Sequence, residues 1–245
     1  MINLLISVAL GVVFALAVRL AHFSLLAGIV PGMIAFAGSY VLLARRVAVK
    51  VQALMNLVQN ELATLPPNKK REQQARVDKA VKLLESGLVY DRWQFLIGPE
   101  IHANIGMIKY MFKDLDGAAI HLNQSSARNY MALAMKGALL FQRKDYPGMK
   151  AAFEAAVKPG KKEALVWAVY AWCLLQLKEK DSALEVMARA AQSNPSDEKL
   201  KASLSQLQND KRMKMKPYEP AWWQFGLEAP PMDMSGGRQV RFQRR

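Results

Sequence analysis

The first 44 residues carry a single formal charge, Arg19, in a chain that has 34 Lys and Arg residues and 20 Asp and Glu residues. They contain two apolar runs, 1–18 and 25–44, each close to the ~20 residues that a helix needs to cross the hydrocarbon core of a bilayer. Because unpaired backbone groups are costly in lipid, both runs are expected to be helices joined by the polar turn 19–24. The sequence therefore predicts a transmembrane helical hairpin.

Two other interpretations of these runs are open. Ala15-Leu16-Ala17 has the small-x-small pattern of a signal-peptide cleavage site. However, no basic residue precedes the first run and a second run follows immediately, which favours the hairpin. Alternatively, the hairpin would enter the membrane from one side without crossing it, with a bend at Pro31-Gly32.

Positive charges follow the second run directly, at Arg45, Arg46 and Lys50, against Arg19 alone in the turn. The positive-inside bias places both termini and the long C-terminal part in the cytoplasm, so the predicted location is a plasma or inner membrane. The formal net charge of +14, with basic flanks beside an apolar segment, suits an anionic lipid surface. No nucleic acid is expected as a partner, because the sequence has no concentrated basic stripe with aromatic stacking platforms.

Small residues line one face of each predicted membrane helix at four-residue spacing. Such stripes let helices approach closely in lipid, and packing within the hairpin is a simpler interpretation than a dimer contact. The predicted packing residues are Ser7, Gly11, Ala15, Gly28 and Gly32.

A second pattern recurs through the middle of the chain. Small residues at 106, 137 and 171 and bulky residues at 122, 153 and 187 share the spacings 31 and 34. The last unit adds a leading Trp167, Ala183, Ala190 and a terminating Pro195. This pattern resembles the tetratricopeptide repeat (TPR) family, whose unit is a 34-residue helix-turn-helix. Met149 departs from it, since the family prefers Ala there, and the first unit lacks the leading aromatic residue and the final Pro.

The resemblance covers about residues 99–197 and implies an all-α fold, a TPR-like α-solenoid of about three repeats. No such repeat buries its apolar face alone, so helical caps are expected at both ends. The predicted segments are the repeats 99–129, 130–163 and 164–197, a preceding cytoplasmic helical extension, hinge and cap helix (45–98), a C-terminal capping helix (198–216), and an extended aromatic and proline-rich tail (217–245).

TPR solenoids bind ligands on the concave face formed by the first helix of each unit. The residues at the family's groove positions here are apolar and rich in Met and aromatic side chains, so the chaperone-binding type of carboxylate clamp is not expected. An alternative is that these residues are simply core, covered by the helix predicted at 76–90 or by an adjacent cap. The predicted groove residues are Met107, Tyr110, Met111, Met131, Phe141, Gln142, Leu165, Trp172 and Gln176.

The segment "PYEPAWWQFGLEAPP" (217–231) combines prolines with four aromatic residues. Prolines favour an extended conformation and aromatic residues are common binding anchors. Three hypotheses follow: the tail folds back along the solenoid, presents a motif to another protein, or dips into the membrane interface. The predicted motif residues are Tyr218, Trp222, Trp223 and Phe225.

The sequence contains no pattern that predicts catalysis. His102 and His121 lack partners at metal-ligand spacing, the single Cys173 lies in an apolar helical stretch, and no cofactor fingerprint is present. We therefore expect a membrane-tethered TPR adaptor or scaffold, not an enzyme, that binds and organises partner proteins. The alternative is an integral structural subunit or assembly factor of a larger membrane complex, whose hairpin packs with other transmembrane helices.

Overall fold

The computed structural model describes residues 1–21, 25–66 and 69–229. Within these ranges the chain is all-helical and has no strand, which confirms the predicted class. Parts of the predicted turn 19–24 and hinge, and everything from residue 230 onward, lie outside the described residues. The α-helices are α1 (Ile2–Leu20), α2 (Leu25–Ala63), α3 (Lys70–Gly87), α4 (Ile97–Met111), α5 (Leu115–Asn123), α6 (Tyr130–Gln142), α7 (Tyr146–Val157), α8 (Ala164–Gln176), α9 (Lys180–Ser193) and α10 (Glu198–Gln208); short 3-10 helices span Leu88–Arg92, Lys216–Tyr218 and Ala221–Phe225.

The described residues divide into two compact units, one that ends at Ile101 and one that begins at His102. The boundary falls inside α4, close to the predicted start of the repeats at residue 99. The first unit holds α1 to α3 and the first turn of α4, and the second holds the rest of α4 and the helices that follow it.

In the first unit, α1 and α2 pack through their small residues. A Cβ atom added to Gly11 would lie 2.9 Å from Phe36 Cβ and 3.0 Å from the Gly32 carbonyl oxygen, and one added to Gly28 would lie 2.8 Å from the Ala15 carbonyl oxygen. Gly11 meets residues 32 and 36, whereas the later residue Ala15 meets the earlier residue Gly28, so the two helices are antiparallel. The predicted small-residue stripes thus face each other within one chain, and only glycine fits at these backbone contacts.

The two helices are long and apolar enough to cross a membrane. Only 17% and 11% of their most apolar stretches is buried, so most of this apolar surface is exposed within the chain. α2 passes through Pro31 without ending and continues to Ala63. Ser7, also in the stripe, is buried, and its hydroxyl donates to the carbonyl oxygen of Asn3 (2.8 Å), as is typical of a serine inside a helix.

α3 returns along the part of α2 that follows the apolar run. Lys79 Nζ donates to Glu61 Oε1 (2.5 Å), and a Cβ atom on Gly87 would lie 2.5 Å from Leu54 Cδ2. These pairs again show antiparallel helices. The buried face of α3 carries Val77, Ala80, Val81 and Leu84, the face that the apolar periodicity predicts.

In the second unit, consecutive helices pack as neighbours. α5 packs on α6, α6 on α7 and α8, α7 on α8, α8 on α9, and α10 on α8 and α9. The helices also form three successive pairs, α4/α5, α6/α7 and α8/α9. In the first two of these pairs, a Cβ atom on Gly106 would lie 2.8 Å from Leu122, and one on Gly137 would lie 2.8 Å from Phe153. In these two pairs, the small and bulky residues that define the repeat therefore meet where the helices cross.

The turns that join α4 to α5, α6 to α7 and α8 to α9 share one backbone geometry. A lysine at 113, 144 and 178 has a φ angle of 69°, 62° and 62°, respectively. The next amide N–H donates to a carbonyl five residues earlier, from Asp114, Asp145 and Glu179 (2.9–3.0 Å). Asp114 and Asp145 also cap the following helix by accepting from a glycine N–H, and Glu179 does not. The turns repeat with the spacings 31 and 34 that the side chains show.

Candidate peptide-binding trough

The first helices of the three pairs, α4, α6 and α8, carry the predicted groove residues, and a later part of the chain covers several of them. We call residues 213–227 the C-terminal segment and the side chains of α4, α6 and α8 that it covers the trough. The buried residues of the segment, Met213, Met215, Tyr218, Trp222 and Phe225, belong to the same core as the trough residues Tyr110 and Trp172.

Hydrogen bonds join one end of the segment to the trough. The Tyr110 hydroxyl donates to the carbonyl oxygen of Phe225 (2.5 Å), and Gln142 Nε2 donates to the Tyr110 oxygen (2.9 Å). Lys113 Nζ donates to the carbonyl oxygen of Gly226 at 3.4 Å, a longer contact. Burial raises the pKa of Tyr110, with the nearby Cys173 as a smaller cause, so its hydroxyl stays protonated and able to donate.

Aromatic side chains form the rest of the contact. The rings of Trp172 and Trp222 lie 5.2 Å apart between centroids, and Phe141 meets Trp172 edge-on at 5.9 Å. Phe225 lies 6.5 Å from Trp222 in a stacked arrangement. Ring pairs at these separations are favourable beyond their buried area, so Trp222 is the central anchor of the segment.

The prolines of the segment predicted an extended conformation, but the segment forms two 3-10 turns. Pro217 is the second residue of the 3-10 turn Lys216–Tyr218, and Pro220 immediately precedes the turn Ala221–Phe225, which is followed by Gly226 with a φ of 56°. The fixed φ of proline also suits the first turn of a helix, and burial of the aromatic side chains selects that conformation here. The Tyr218 hydroxyl contacts α10 and not the trough, since it lies 2.9 Å from the Ser203 hydroxyl.

The remaining predicted residues differ in their surroundings. Met107 is buried, Met111, Met131 and Leu165 are half-buried against the core, and Gln176 is exposed. Trp223 is half-buried, 6.4 Å from Trp222. Sequence reasoning missed Met213, Met215 and Lys113, because no local pattern links them to the trough.

Two buried ring nitrogens, Nε1 of Trp222 and Nε1 of Trp223, have no hydrogen-bond partner. Elsewhere in the second unit, His102 Nδ1 and His121 Nδ1 lie 3.0 Å apart between α4 and α5. Among the described residues there is no group of three or more His, Cys, Asp or Glu side chains that would hold a metal ion.

No protein-family model matches this chain, and no curated protein matches it. The resemblance to the TPR family stays a prediction that rests on residue spacing.

Proposed function

We propose that this protein is a membrane-tethered TPR adaptor or scaffold that binds and organises partner proteins at the cytoplasmic face of a membrane. The threefold recurrence of the helix pair supports a solenoid of TPR type. All three pairs repeat the left-handed lysine turn, and the first two also show a glycine crossing a bulky residue.

The occupied trough is the observation that carries the proposal. It already holds an irregular chain segment, and it does so partly through main-chain groups, since Tyr110 bonds the carbonyl of Phe225. Many proteins bind peptides in this way, by hydrogen bonds to main-chain groups combined with a buried aromatic anchor. A partner peptide with an aromatic anchor in place of Trp222 would satisfy the same trough.

The membrane hairpin supplies the tether. Arg45, Arg46 and Lys50 follow the apolar part of α2 and suit an anionic cytoplasmic leaflet, at about 1 kcal/mol per cation near the surface. Holding the trough at a membrane raises its effective concentration for partners at the same surface. This is the advantage that the proposal assigns to the tether.

The test is a titration of the tail-less chain. The full chain is truncated after Asp210, which is exposed and follows α10, and a fluorescent peptide of residues 211–229 is added. We expect saturable binding by fluorescence anisotropy, and loss of binding for the same peptide with Trp222→Ala. Unchanged helical circular dichroism after truncation is the control. A folded tail-less chain that binds neither peptide would contradict a peptide-binding role.

A structural subunit of a larger membrane complex is the alternative, supported by the exposed apolar side chains of α1, among them Leu5, Val13 and Leu16. The small-residue stripe does not discriminate, because it packs inside the hairpin. Replacing residues 1–44 by an unrelated two-helix membrane hairpin discriminates between the two functions. Retained binding of partner proteins would favour the adaptor, and lost assembly of a complex would favour the subunit.

A further inference from the structure

The loop between α3 and α4, residues 88–96, is ordered by its own hydrogen bonds. Leu88–Arg92 is a 3-10 helix, the amides of Trp93 and Gln94 donate to the carbonyl of Tyr90 (3.0 and 3.1 Å), and Asp91 Oδ1 accepts from the amide of Gly98 (3.1 Å). The loop therefore presents its side chains in fixed directions.

Three large apolar side chains of this loop are exposed at the surface. Val89 is 57% exposed, Trp93 40% and Phe95 59%. Single exposed apolar residues need no explanation, but three within seven residues of one ordered loop form a patch, and such patches mark interaction surfaces.

Hydrogen bonds fix the loop to one end of the hairpin. The amide of Asn3 donates to the carbonyl of Trp93 (3.2 Å), and Asn3 Nδ2 donates to Gln94 Oε1 (3.2 Å). Gln94 Nε2 in turn donates to the Tyr40 hydroxyl (3.0 Å). The loop therefore lies level with Asn3 on α1 and Tyr40 on α2.

The glycine contacts give the same level independently. Gly11 on α1 meets Gly32 on α2. Eight residues back from Gly11 is Asn3, and eight residues on from Gly32 is Tyr40. In two antiparallel helices with the same rise per residue, these positions lie side by side.

This level is the membrane boundary if the hairpin spans the bilayer. α1 has 19 residues, or about 28 Å at 1.5 Å per residue, which matches the hydrocarbon core and puts Asn3 at its edge. Arg45 lies five residues beyond Tyr40, about 8 Å further toward water. The loop, which itself carries Arg92, thus lies between the hydrocarbon edge and the first cations of α2, which is the level of the lipid headgroups.

We propose that the 88–96 loop is a membrane-interface anchor, with Trp93 and Phe95 inserted among the headgroups and upper acyl chains of the leaflet from which α1 starts. The patch is continuous with the apolar hairpin, and Trp is enriched at this depth in membrane proteins. The inference rests on the proposed membrane hairpin. It gives the interfacial role to Trp93, whereas Trp222 is buried in the second unit.

The test measures the depth of a single fluorescent label in the full chain, reconstituted in vesicles of phosphatidylcholine and phosphatidylglycerol. An environment-sensitive thiol dye is attached to Phe95→Cys, to Ala75→Cys as the control, and to Val13→Cys as the marker of hairpin insertion. Ala75 is exposed on α3, and its neighbour Arg76 donates to the Thr64 hydroxyl (2.7 Å). Thr64 directly follows α2, about 36 Å from Tyr40 at 1.5 Å per residue. Cys173 is retained, because its thiol is buried and burial raises its pKa, and the unmodified chain serves as the labelling blank.

Quenchers carried by lipids near the headgroup and by lipids at mid-chain are compared with iodide present on both sides of the vesicle. We expect the label at 95 to be quenched about twofold or more strongly by the shallow lipid than by iodide, with the reverse at 75. The label at 13 should respond most to the mid-chain lipid.

Two results at position 95 would overturn the inference while the label at 13 still shows insertion. Quenching at 95 that matches position 75 would place the loop in water, and protection from both lipid and iodide would place it against protein. If the label at 13 is itself reached only by iodide, the membrane hairpin fails first. That outcome refutes the tether and the anchor together.

Discussion

Replacing Trp222 by alanine should release the C-terminal segment from the trough. Trp222 is 1% exposed, so truncation removes a large buried ring, and such changes cost about 3–5 kcal/mol. Part of this is recovered, because Nε1 of Trp222 is buried without a partner and an unsatisfied donor costs about 1–3 kcal/mol. The net loss is about 2 kcal/mol, or roughly a 30-fold change in the opening equilibrium of the segment.

Hydrogen exchange of the full chain in detergent micelles, followed by mass spectrometry, measures the opening of the segment directly. The amides of Tyr218, Trp223 and Gly226 are hydrogen-bonded within the segment and report its opening. Their exchange should accelerate by roughly 30-fold in Trp222→Ala, with a much smaller change in α3, which belongs to the other unit.

Trp222→Phe is the matched variant, because it keeps a ring and removes the unpartnered N–H. The lost volume and the recovered donor nearly cancel, so exchange should change by less than about threefold. The reasoning would be refuted if Trp222→Ala left exchange in the segment unchanged, or if Trp222→Phe were as disruptive as Trp222→Ala.

Three further substitutions test the packing of each unit. Gly11→Ile should push α1 and α2 apart by about 1–2 Å, measured between spin labels on the two helices, whereas Gly38→Ile should not, since nothing lies within 4 Å of a Cβ atom there. Gly137→Ala should destabilise the second unit by about 1–3 kcal/mol in a urea titration, because the added methyl meets the ring of Phe153, and an unchanged midpoint would exclude the close crossing. The hydrogen bond from Arg189 lowers the pKa of Glu154, so this carboxylate stabilises the fold above the usual Glu pKa of about 4.3 and the contribution is lost as pH falls through the lowered value. Glu154→Gln should therefore cost less than about 1 kcal/mol at pH 7 for a pair this exposed, and its difference from the parent chain should shrink as pH falls through the lowered pKa of Glu154; a difference that grows on acidification would contradict the assignment.

Much of the second unit could be predicted from spacing. Gly106 and Gly137 are small because Leu122 and Phe153 cross them, and such a pattern repeats wherever the same crossing repeats. The left-handed turns were not predicted, because lysine at 113 gives no local signal for a φ of 69°, a conformation that usually selects glycine.

The sequence gives less information about long-range contacts. Alternatives for the tail stayed open because its aromatic residues suit a groove, a partner and a lipid interface equally well. What places Trp222 against Trp172 is burial among helices far away in the chain. The 88–96 loop was missed for the same reason, since its position depends on Asn3 and Tyr40, which no periodicity connects to it.

Under the proposed function, the C-terminal segment and a partner would compete for the trough. A partner must supply an anchor that replaces Trp222 or bind beside a segment that stays in place. Because the segment is part of the same chain, its effective concentration at the trough is high. A displacing partner therefore needs either high affinity or enrichment at the same membrane, and the hairpin would provide the enrichment.

The most direct test of the adaptor role is photo-crosslinking in intact cells from a benzoylphenylalanine placed at Trp172, in the full chain and in a second chain that also carries Trp222→Ala. We expect the first chain to crosslink to its own residues 213–227, and the second to crosslink to a different protein at the trough. Crosslinks confined to the chain itself in both cases would show that the trough is closed core, and would contradict its use as a binding surface.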